Sequence, residues 1–340
     1  MKKLHPAIKV LVIVGIVIVA ILAAIGVAKI VERVIYADFY ANAENEFGIP
    51  GLNEGFVPQG MDYVEETEQM LMVGYMSNGK AGRIYRRDMK TGKVSCIEMK
   101  EEDGSDYLGH TGGIACYGDY VCVTGDDGLD IFHAEDVLTG DSEAVKVGAV
   151  KTYNNPAWCH VYEDESGVYI LTGSFYREGS VYETPAEHHL TTPAGDKNTS
   201  LVTVFCMNTD MPLHVDPTPI CAISTPDQMQ GLCITDDGDI AVSTSWGTAS
   251  SYIHLYDGAK VKASGAADTL EVTDGVTLPL FYLDSDSKTE TVTAPPMSEE
   301  IECIDGRLFI FNESACNKYV FGKFLSGYWL YSYDLGANKE

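Results

Sequence analysis

MSEEIECIDGRLFIF, residues 297–311, joins an acidic start to a short apolar run, an Asp305-Gly306 turn and a second apolar run. Two short strands split by Asp-Gly read as a β-hairpin. The same cassette recurs in HTGGIACYGDYVCVTGDDGLDIF from His110, WCHVYEDESGVYILTGSF from Trp158 and MQGLCITDDGDIAVSTSWG from Met229, with a looser copy, QGMDYVEETEQMLMVGYM, from Gln59. Each second strand ends in a small polar cluster: Gly74-Tyr75, Thr124-Gly125, Thr172-Gly173, Ser243-Thr244-Ser245 and Asn312-Glu313-Ser314.

A third strand alternating aromatic with polar residues follows, as in GRIYRRDMKTG from Gly82, SYIHLYD from Ser251 and GYWLYSYD from Gly327. A fourth often comes after it, such as KVSCIEM from Lys93 or KTETVTA from Lys288. The hairpin is therefore the inner half of a four-stranded unit that restarts near Gln59, His110, Trp158, Met229 and Ser298. A period of roughly 50 to 70 residues fits four strands plus insertions, and a radial array of such sheets is a β-propeller. Stacked β-sandwiches would not restart on the same cassette. The expected class is thus all-β, a propeller of five blades, or six if residues 181–199 or 261–277 hide another. The fifth unit ends soon after its third strand, so its missing outer strand is expected from the other terminus, between Tyr36 and Val57.

Ahead of the repeats, residues 10–28, VLVIVGIVIVAILAAIGVA, are apolar and uncharged, the length of one transmembrane helix. Lys2, Lys3 and Lys9 precede the run and Lys29, Glu32 and Arg33 follow it, so the positive excess favours a cytoplasmic tail. This divides the chain into a tail, 1–9, a signal-anchor, 10–28, a juxtamembrane linker, 29–57, and an extracytoplasmic propeller, 58–336, at the cell membrane. Gly26-Val27-Ala28 would suit cleavage, which would make the protein secreted, but the run is longer than the usual signal core.

The whole chain of 340 residues carries a formal charge of −27, yet residues 1–33 hold five basic residues and one acidic. Everything after them is strongly acidic, and a field of that sign repels phosphate backbones, so nucleic acid is excluded as a ligand. An exported chain with nine cysteines suggests disulfides. A Gly118-Asp119 turn, however, would pair Cys116 with Val121 and Ala115 with Cys122, placing the two thiols on opposite faces. The cysteines read as small buried hydrophobes. There is no C-x-x-C for zinc and no G-x-S-x-G nucleophile elbow.

In a propeller the innermost strands start, and the second strands end, at one mouth of the central channel. The strand starts give Gln59, His110, Trp158 with His160, Gln230, and Glu299 with Glu300. The strand ends give Tyr75, Asp126 with Asp127, Ser174, Ser245 with Trp246, and Asn312 with Glu313. The expected ligand-binding set is Gln59, His110, Trp158, His160, Gln230, Trp246 and Glu299. If a divalent cation such as calcium or zinc sits there, His110, His160 and Glu299 are its candidate ligands. For catalysis, His110 or His160 beside Glu299 or Glu313 would activate water against an ester or lactone. The adjacent pair His188-His189 reads as part of an exposed loop, and Asp-Asp-Gly at 126–128 and 236–238 as turns.

The rhythm of QGLCITDDGDIAVSTSWG and EEIECIDGRLFIF resembles that of secreted bacterial propellers of the gluconolactonase-like, strictosidine synthase-like and NHL-type class. That resemblance implies a propeller fold and either a lactonase or esterase activity or a non-catalytic binder, and it does not choose between them. The expected function is a membrane-anchored binding module for an extracellular ligand or protein through its channel mouth. The alternative is a metal-assisted hydrolase of lactones or esters.

Overall fold

The computed structural model describes residues 5–264, 268–272 and 275–336. Residues 1–4 of the expected tail, with Lys2 and Lys3, and parts of the 261–277 segment lie outside them.

Helix α1, Pro6–Ile35, is long and apolar enough to cross a membrane, and its apolar window is not buried against the rest of the chain. A short helix α2, Ala37–Asn42, and strand β1, Ala43–Gly48, come next. The first quartet of strands is β2, Phe56–Val64, β3, Gln69–Met76, β4, Arg83–Asp88, and β5, Val94–Lys100. In the second are β6, Ile114–Tyr117, β7, Tyr120–Thr124, β8, Gly128–His133, and β9, Glu143–Lys151. The third begins with β10, Pro156–Asp164, and β11, Gly167–Ser174. A two-residue ladder, β12, Leu190–Thr191, with β13, Lys197–Asn198, interrupts it before β14, Ser200–Met207, and β15, Val215–Thr225. The fourth comprises β16, Met229–Ile234, β17, Ile240–Thr244, β18, Ser251–Tyr256, and, after an inserted hairpin of β19, Asp268–Val272, and β20, Val276–Tyr282, the strand β21, Lys288–Ala294. Last come β22, Ser298–Ile304, β23, Arg307–Asn312, and β24, Trp329–Asp334.

Within each quartet the strands pair antiparallel in chain order. The first strands, β2, β6, β10, β16 and β22, contact one another in a closed cycle in which β22 returns to β2. This is a β-propeller-like arrangement, and it explains the opening hairpin: β22 and β23 meet at the Asp305-Gly306 turn, with Ile304 opposite Arg307.

Second strands read as unbroken apolar runs because both of their faces are buried. Met70 and Met72 of β3 pack with Phe309 and Phe311 of the last quartet, whereas the intervening Leu71 and Val73 pack with Ile114, Val121 and Val123 of the second. Each fully buried side chain of this kind contributes about 1.5–3 kcal/mol. The same alternation decides the cysteines. Cys116 pairs with Val121 and Ala115 with Cys122, as expected, and Cys116 joins one inter-sheet core while Cys122 joins the next. All nine cysteines are free thiols.

The segment expected as a linker, 29–57, is instead built into the domain, and its part between Tyr36 and Val57 supplies the outer strand that the open fifth unit was expected to take from this terminus. β1 pairs antiparallel with β24 and completes the last quartet, and Phe39 of α2 stacks on Tyr333 at 5.7 Å. Its sequence hides this because AENEFG exposes most of its side chains and buries only Phe47 firmly. Among the described residues neither long insertion supplies a strand to the channel. Residues 181–199 hold the small ladder, and the described part of 261–277 belongs to a hairpin whose β20 pairs parallel to β15 at the outer edge of the third quartet.

Candidate functional site

Four of the five inner strands carry a register shift close to their start: between Pro58 and Gly60, Pro156 and Trp158, Met229 and Gly231, and Ser298 and Ile301. A bulge of this kind bends the strand and re-aims its side chains. Below the bulges the channel is pinched. A Cβ on Gly60 would lie 2.6 Å from Gly113 Cα, and one on Gly231 would lie 2.7 Å from Glu300 Cα, so only glycine lets these backbones approach. The Glu300 carboxyl fills the waist: its Oε2 accepts the Met61 N–H at 3.2 Å, and its Oε1 is buried without a partner. Burial first, then the charge of Glu302, hold Glu300 well above the usual carboxylate range.

Above the waist opens a pocket of about 420 Å³. Gln59, Gln230, Glu299 and Glu313 line its base, and Tyr75, Phe175, Tyr182, Trp246 and Tyr319 supply aromatic walls. Glu299 and Glu313 are hydrogen-bonded to each other. Gln59 Nε2 donates to Glu313 Oε2 at 3.0 Å, and Gln230 Nε2 reaches Glu299 Oε1 at 3.4 Å. Two carboxyls in contact in a buried setting cannot both ionise at neutral pH. Burial and the neighbouring Glu313 raise Glu299 well above its ordinary value; burial also raises Glu313, which the Lys318 ammonium limits to about 7. The pair therefore holds one shared proton near neutrality, with the second poised to leave.

At the rim the His110 ring lies 4.7 Å from that of Tyr75, and Lys318 Nζ sits 5.0 Å from the Tyr75 and Tyr319 ring centroids. Desolvation, then Lys318, pushes His110 below its ordinary value, with Asp126 working against them. Arg177 stacks over Trp246 at 5.2 Å.

Of the residues expected to bind ligand, Gln59, His110, Gln230, Trp246 and Glu299 line this pocket, and Trp158 and His160 do not. Trp158 is fully buried between the third and fourth quartets, where a Cβ on Gly173 would lie 1.9 Å from its ring. His160 lies below the waist with Asp62 and Glu302. These three occupy the same position of their inner strands, opposite Leu171, Leu71 and Phe309 of the second strands. There they satisfy backbone donors on open strand edges. Asp62 Oδ2 accepts the Cys116 N–H at 2.9 Å, and His160 Nε2 accepts that of Ile234 at 3.4 Å while Nδ1 faces Glu302 Oε2 at 3.4 Å. Burial, then Glu302, pushes Asp62 up to about 8. Burial opposes a charge on His160, but Glu302 outweighs it and leaves the imidazole above its ordinary value.

The expected metal set of His110, His160 and Glu299 is thus divided between the mouth and the lower channel. Among the described residues no three His, Cys, Asp or Glu side chains stand where they could hold one metal ion. The donors at the mouth do not fit a cation either, because the Glu pair is engaged with itself and with amide N–H groups. Candidate catalytic residues His110, Glu299 and Glu313 do share the pocket. Outside it, His188 is buried rather than exposed, whereas His189 is exposed as expected.

Lys318, Tyr319, Phe175 and Tyr182 were not legible as site residues. Lys318 and Tyr319 sit in the 313–328 connection between β23 and β24, and Phe175 and Tyr182 in the 175–199 connection between β11 and β14. The length of those connections was the available signal, since long loops in compact domains tend to carry function.

No family model matches the chain, and no curated protein matches it. Solved structures align with most of it at low identity. An oxidoreductase from Thermus thermophilus, titled a glucose dehydrogenase, shares 11% identity over 85% of this chain and 98% of its own, with a TM-score of 0.40. The PQQ-bound aldose sugar dehydrogenase of Streptomyces coelicolor shares 15% over 79% and 78%, at 0.37. Glutaminyl cyclase of Myxococcus xanthus shares 8% over 86% and 94%, at 0.40. These are β-propeller proteins, and the likeness concerns the fold alone.

Proposed function

We propose that the five quartets are the blades of a membrane-anchored extracytoplasmic propeller that binds a small polar ligand at its channel mouth. The observation that carries this reading is the proton-sharing Glu299–Glu313 pair at the base of an aromatic-walled pocket of about 420 Å³. A few convergent polar groups in a concave, largely apolar setting are the usual make-up of a ligand site. The aromatic faces would hold the flat side of a ligand, and the carboxyl pair, Gln59 and Gln230 would read its hydroxyl, amide or amine groups. Helix α1 would hold the domain at the membrane, with its basic flank on the cytoplasmic side.

Hydrolysis of a lactone or ester is the second reading. It draws support from the same pair, one carboxyl protonated and the other titrating near neutrality, which is the division of labour that acid–base catalysis needs. His110 and the shared proton would then do the work assigned by sequence to a metal.

The test is a thermal-shift screen of the full chain in detergent against sugars, amino acids, lactones and esters, repeated with Trp246→Ala and Glu299→Gln. A compound that raises the melting temperature of the wild type and of neither variant supports the pocket as the site. Equal shifts in all three proteins would reject it. Turnover of a stabilising lactone or ester, lost in Glu299→Gln, would select the second reading.

A further inference from the structure

Helix α1 leaves the domain from the face that carries the pocket. β24 runs away from the channel mouth and β1 runs back towards it, with Ala43 opposite Tyr333 and Gly48 opposite Trp329. α2, which precedes β1, therefore descends the side of the domain, and α1 ends at the mouth level. Two contacts fix that end. Ser326 Oγ, in the connection before β24, donates to Glu32 Oε2 at 3.1 Å, and the Tyr36 hydroxyl meets Ser250 Oγ, just before β18, at 3.1 Å. Both connections join second to third strands on the mouth side, and the one that holds Ser326 also supplies Lys318 and Tyr319. Glu32 is buried and also accepts the Tyr40 hydroxyl, so the helix end is docked rather than hinged on a free linker.

The apolar run stops at Ala28, four residues before Glu32, which is about 6 Å along a helix. Residues 6–24 are exposed, so α1 stands clear of the face instead of lying across it. If α1 spans a bilayer, that bilayer begins within a few ångströms of the mouth level.

Independent of the helix, exposed large apolar side chains gather at the mouth end, with Val94 exposed at the opposite end and Val145, Val147 and Ile220 exposed along outer strands. Leu108, Val181, Tyr182, Val320, Phe324 and Trp329 are exposed large apolar side chains, and all belong to connections or strand starts on the mouth side. Val181 is 90% and Phe324 47% exposed. Trp246, on the pocket wall, is exposed as well. The turns at the opposite end present acidic groups, among them Glu65, Glu66, Asp119, Glu165, Asp236 and Asp305. Aromatic and aliphatic residues beside Lys318 and Lys323, mixed with acidic groups such as Glu178 and Glu187, suit the headgroup layer rather than the hydrocarbon core.

We propose that the channel-mouth face rests on the surface of the bilayer that α1 crosses, so that the pocket opens onto the lipid headgroup layer and is supplied from it. This rests on the anchor reading above. The turns with Glu65, Asp236 and Asp305 then face away from the membrane, while Glu102, Asp103, Asp106, Asp126 and Asp127 stay on the membrane side, so the face would meet zwitterionic lipid more readily than anionic lipid.

The test uses the full chain in phosphatidylcholine vesicles with and without bromine on the acyl chains near the headgroup. Only Trp158 of the three tryptophans is buried; Trp246 and Trp329 report the mouth. The emission of Trp246 and Trp329, isolated as the difference between the wild type and Trp246→Phe/Trp329→Phe, is expected to fall roughly twofold in brominated vesicles. A tryptophan placed at the far end, Asp305→Trp in the double-Phe background, should be unaffected. A chain that floats with the vesicles but shows equal quenching at both ends, or none at the mouth, overturns the orientation and leaves the anchor standing. A chain that fails to float overturns the anchor and the orientation together.

Discussion

Replacing Glu313 by Gln should stabilise the protein at alkaline pH and leave it unchanged in acid. Glu313 is raised from the ordinary 4.5 to about 7 by burial, with Lys318 and the hydrogen bonds from Gln59 and Tyr319 working against that rise. A carboxyl whose folded value exceeds its unfolded value binds more protons in the folded state between the two. Its contribution to stability is complete below about 4.5, declines as pH rises, and is lost above about 7. At pH 8 the charged form costs the fold about 3 kcal/mol at most, taking about 1.36 kcal/mol for each pH unit of the difference. Because Glu299 shares the proton, a net gain of about 1–3 kcal/mol for the Gln variant is expected. The amide oxygen of the new side chain can still accept from Gln59 and its NH₂ can donate to Glu299, so the packing is kept. The assay is denaturant unfolding of both proteins in the same detergent from pH 5 to pH 9, followed by tryptophan fluorescence. Asp62, pushed up to about 8, adds its own slope to both curves, so the difference between them is the quantity to read. Parallel curves across this range, or a wild type more stable than the variant at pH 8, would refute the proton-sharing pair.

Gly60→Ala would drive a Cβ to 2.6 Å from Gly113 Cα and 2.8 Å from Glu300 Oε2, and should cost about 1–3 kcal/mol in unfolding measurements. Phe39→Ala removes a ring stacked on Tyr333 and edge-on to Tyr331, for an expected loss of about 3–5 kcal/mol; a free linker in this region would show no loss. Deletion of residues 1–48 removes β1 and should lower the melting temperature, whereas deletion of 1–28 keeps Glu32, Tyr36 and β1 and should not. Mass analysis of the protein alkylated in denaturant without reductant should count nine free thiols. In the native protein at pH 8 Cys122 and Cys221, both pushed up to about 12 by burial, should resist alkylation.

The strand pairing was legible because four of the five inner hairpin turns announce themselves twice, by Asp or Gly in the sequence and by the apolar run that follows; Glu65-Glu66-Thr67-Glu68, with neither residue, belongs to the looser first copy. Asp305-Gly306 and Gly118-Asp119 fix the register of their hairpins to the residue. The mouth was legible for a related reason: position in a repeated unit stands for position in space, so Gln59, His110, Gln230 and Glu299 could be brought together from four distant segments. His160 shows where this fails. It lies two residues beyond Trp158, and a strand rises about 3.3 Å per residue, so that small offset carries its side chain past the waist. The waist itself had a signal that went unread, a glycine recurring at one place in three cassettes, Gly60, Gly113 and Gly231. Strand β1 had almost none, since an edge strand that buries a single side chain firmly need not look like a strand.

The channel also changes what the formal charge of −27 means. Burial raises Glu299 and Glu300 well above the usual carboxylate range and Asp62 to about 8, so these buried carboxyls add little to the field outside. Their acidity is spent on hydrogen bonds: Glu300 and Asp62 accept N–H groups that the inner strand edges would otherwise leave unpaired. Negative charge that reaches solvent is carried at both ends of the domain, by Asp236, Asp237 and Asp305 in the far turns and by Glu102, Asp103, Asp106, Asp126 and Asp127 in connections on the mouth side. Along the channel the chain therefore places buried carboxyls of raised pKa between two ends that both carry exposed acidic groups, and the aromatic walls of the pocket lie at the end from which the apolar helix departs.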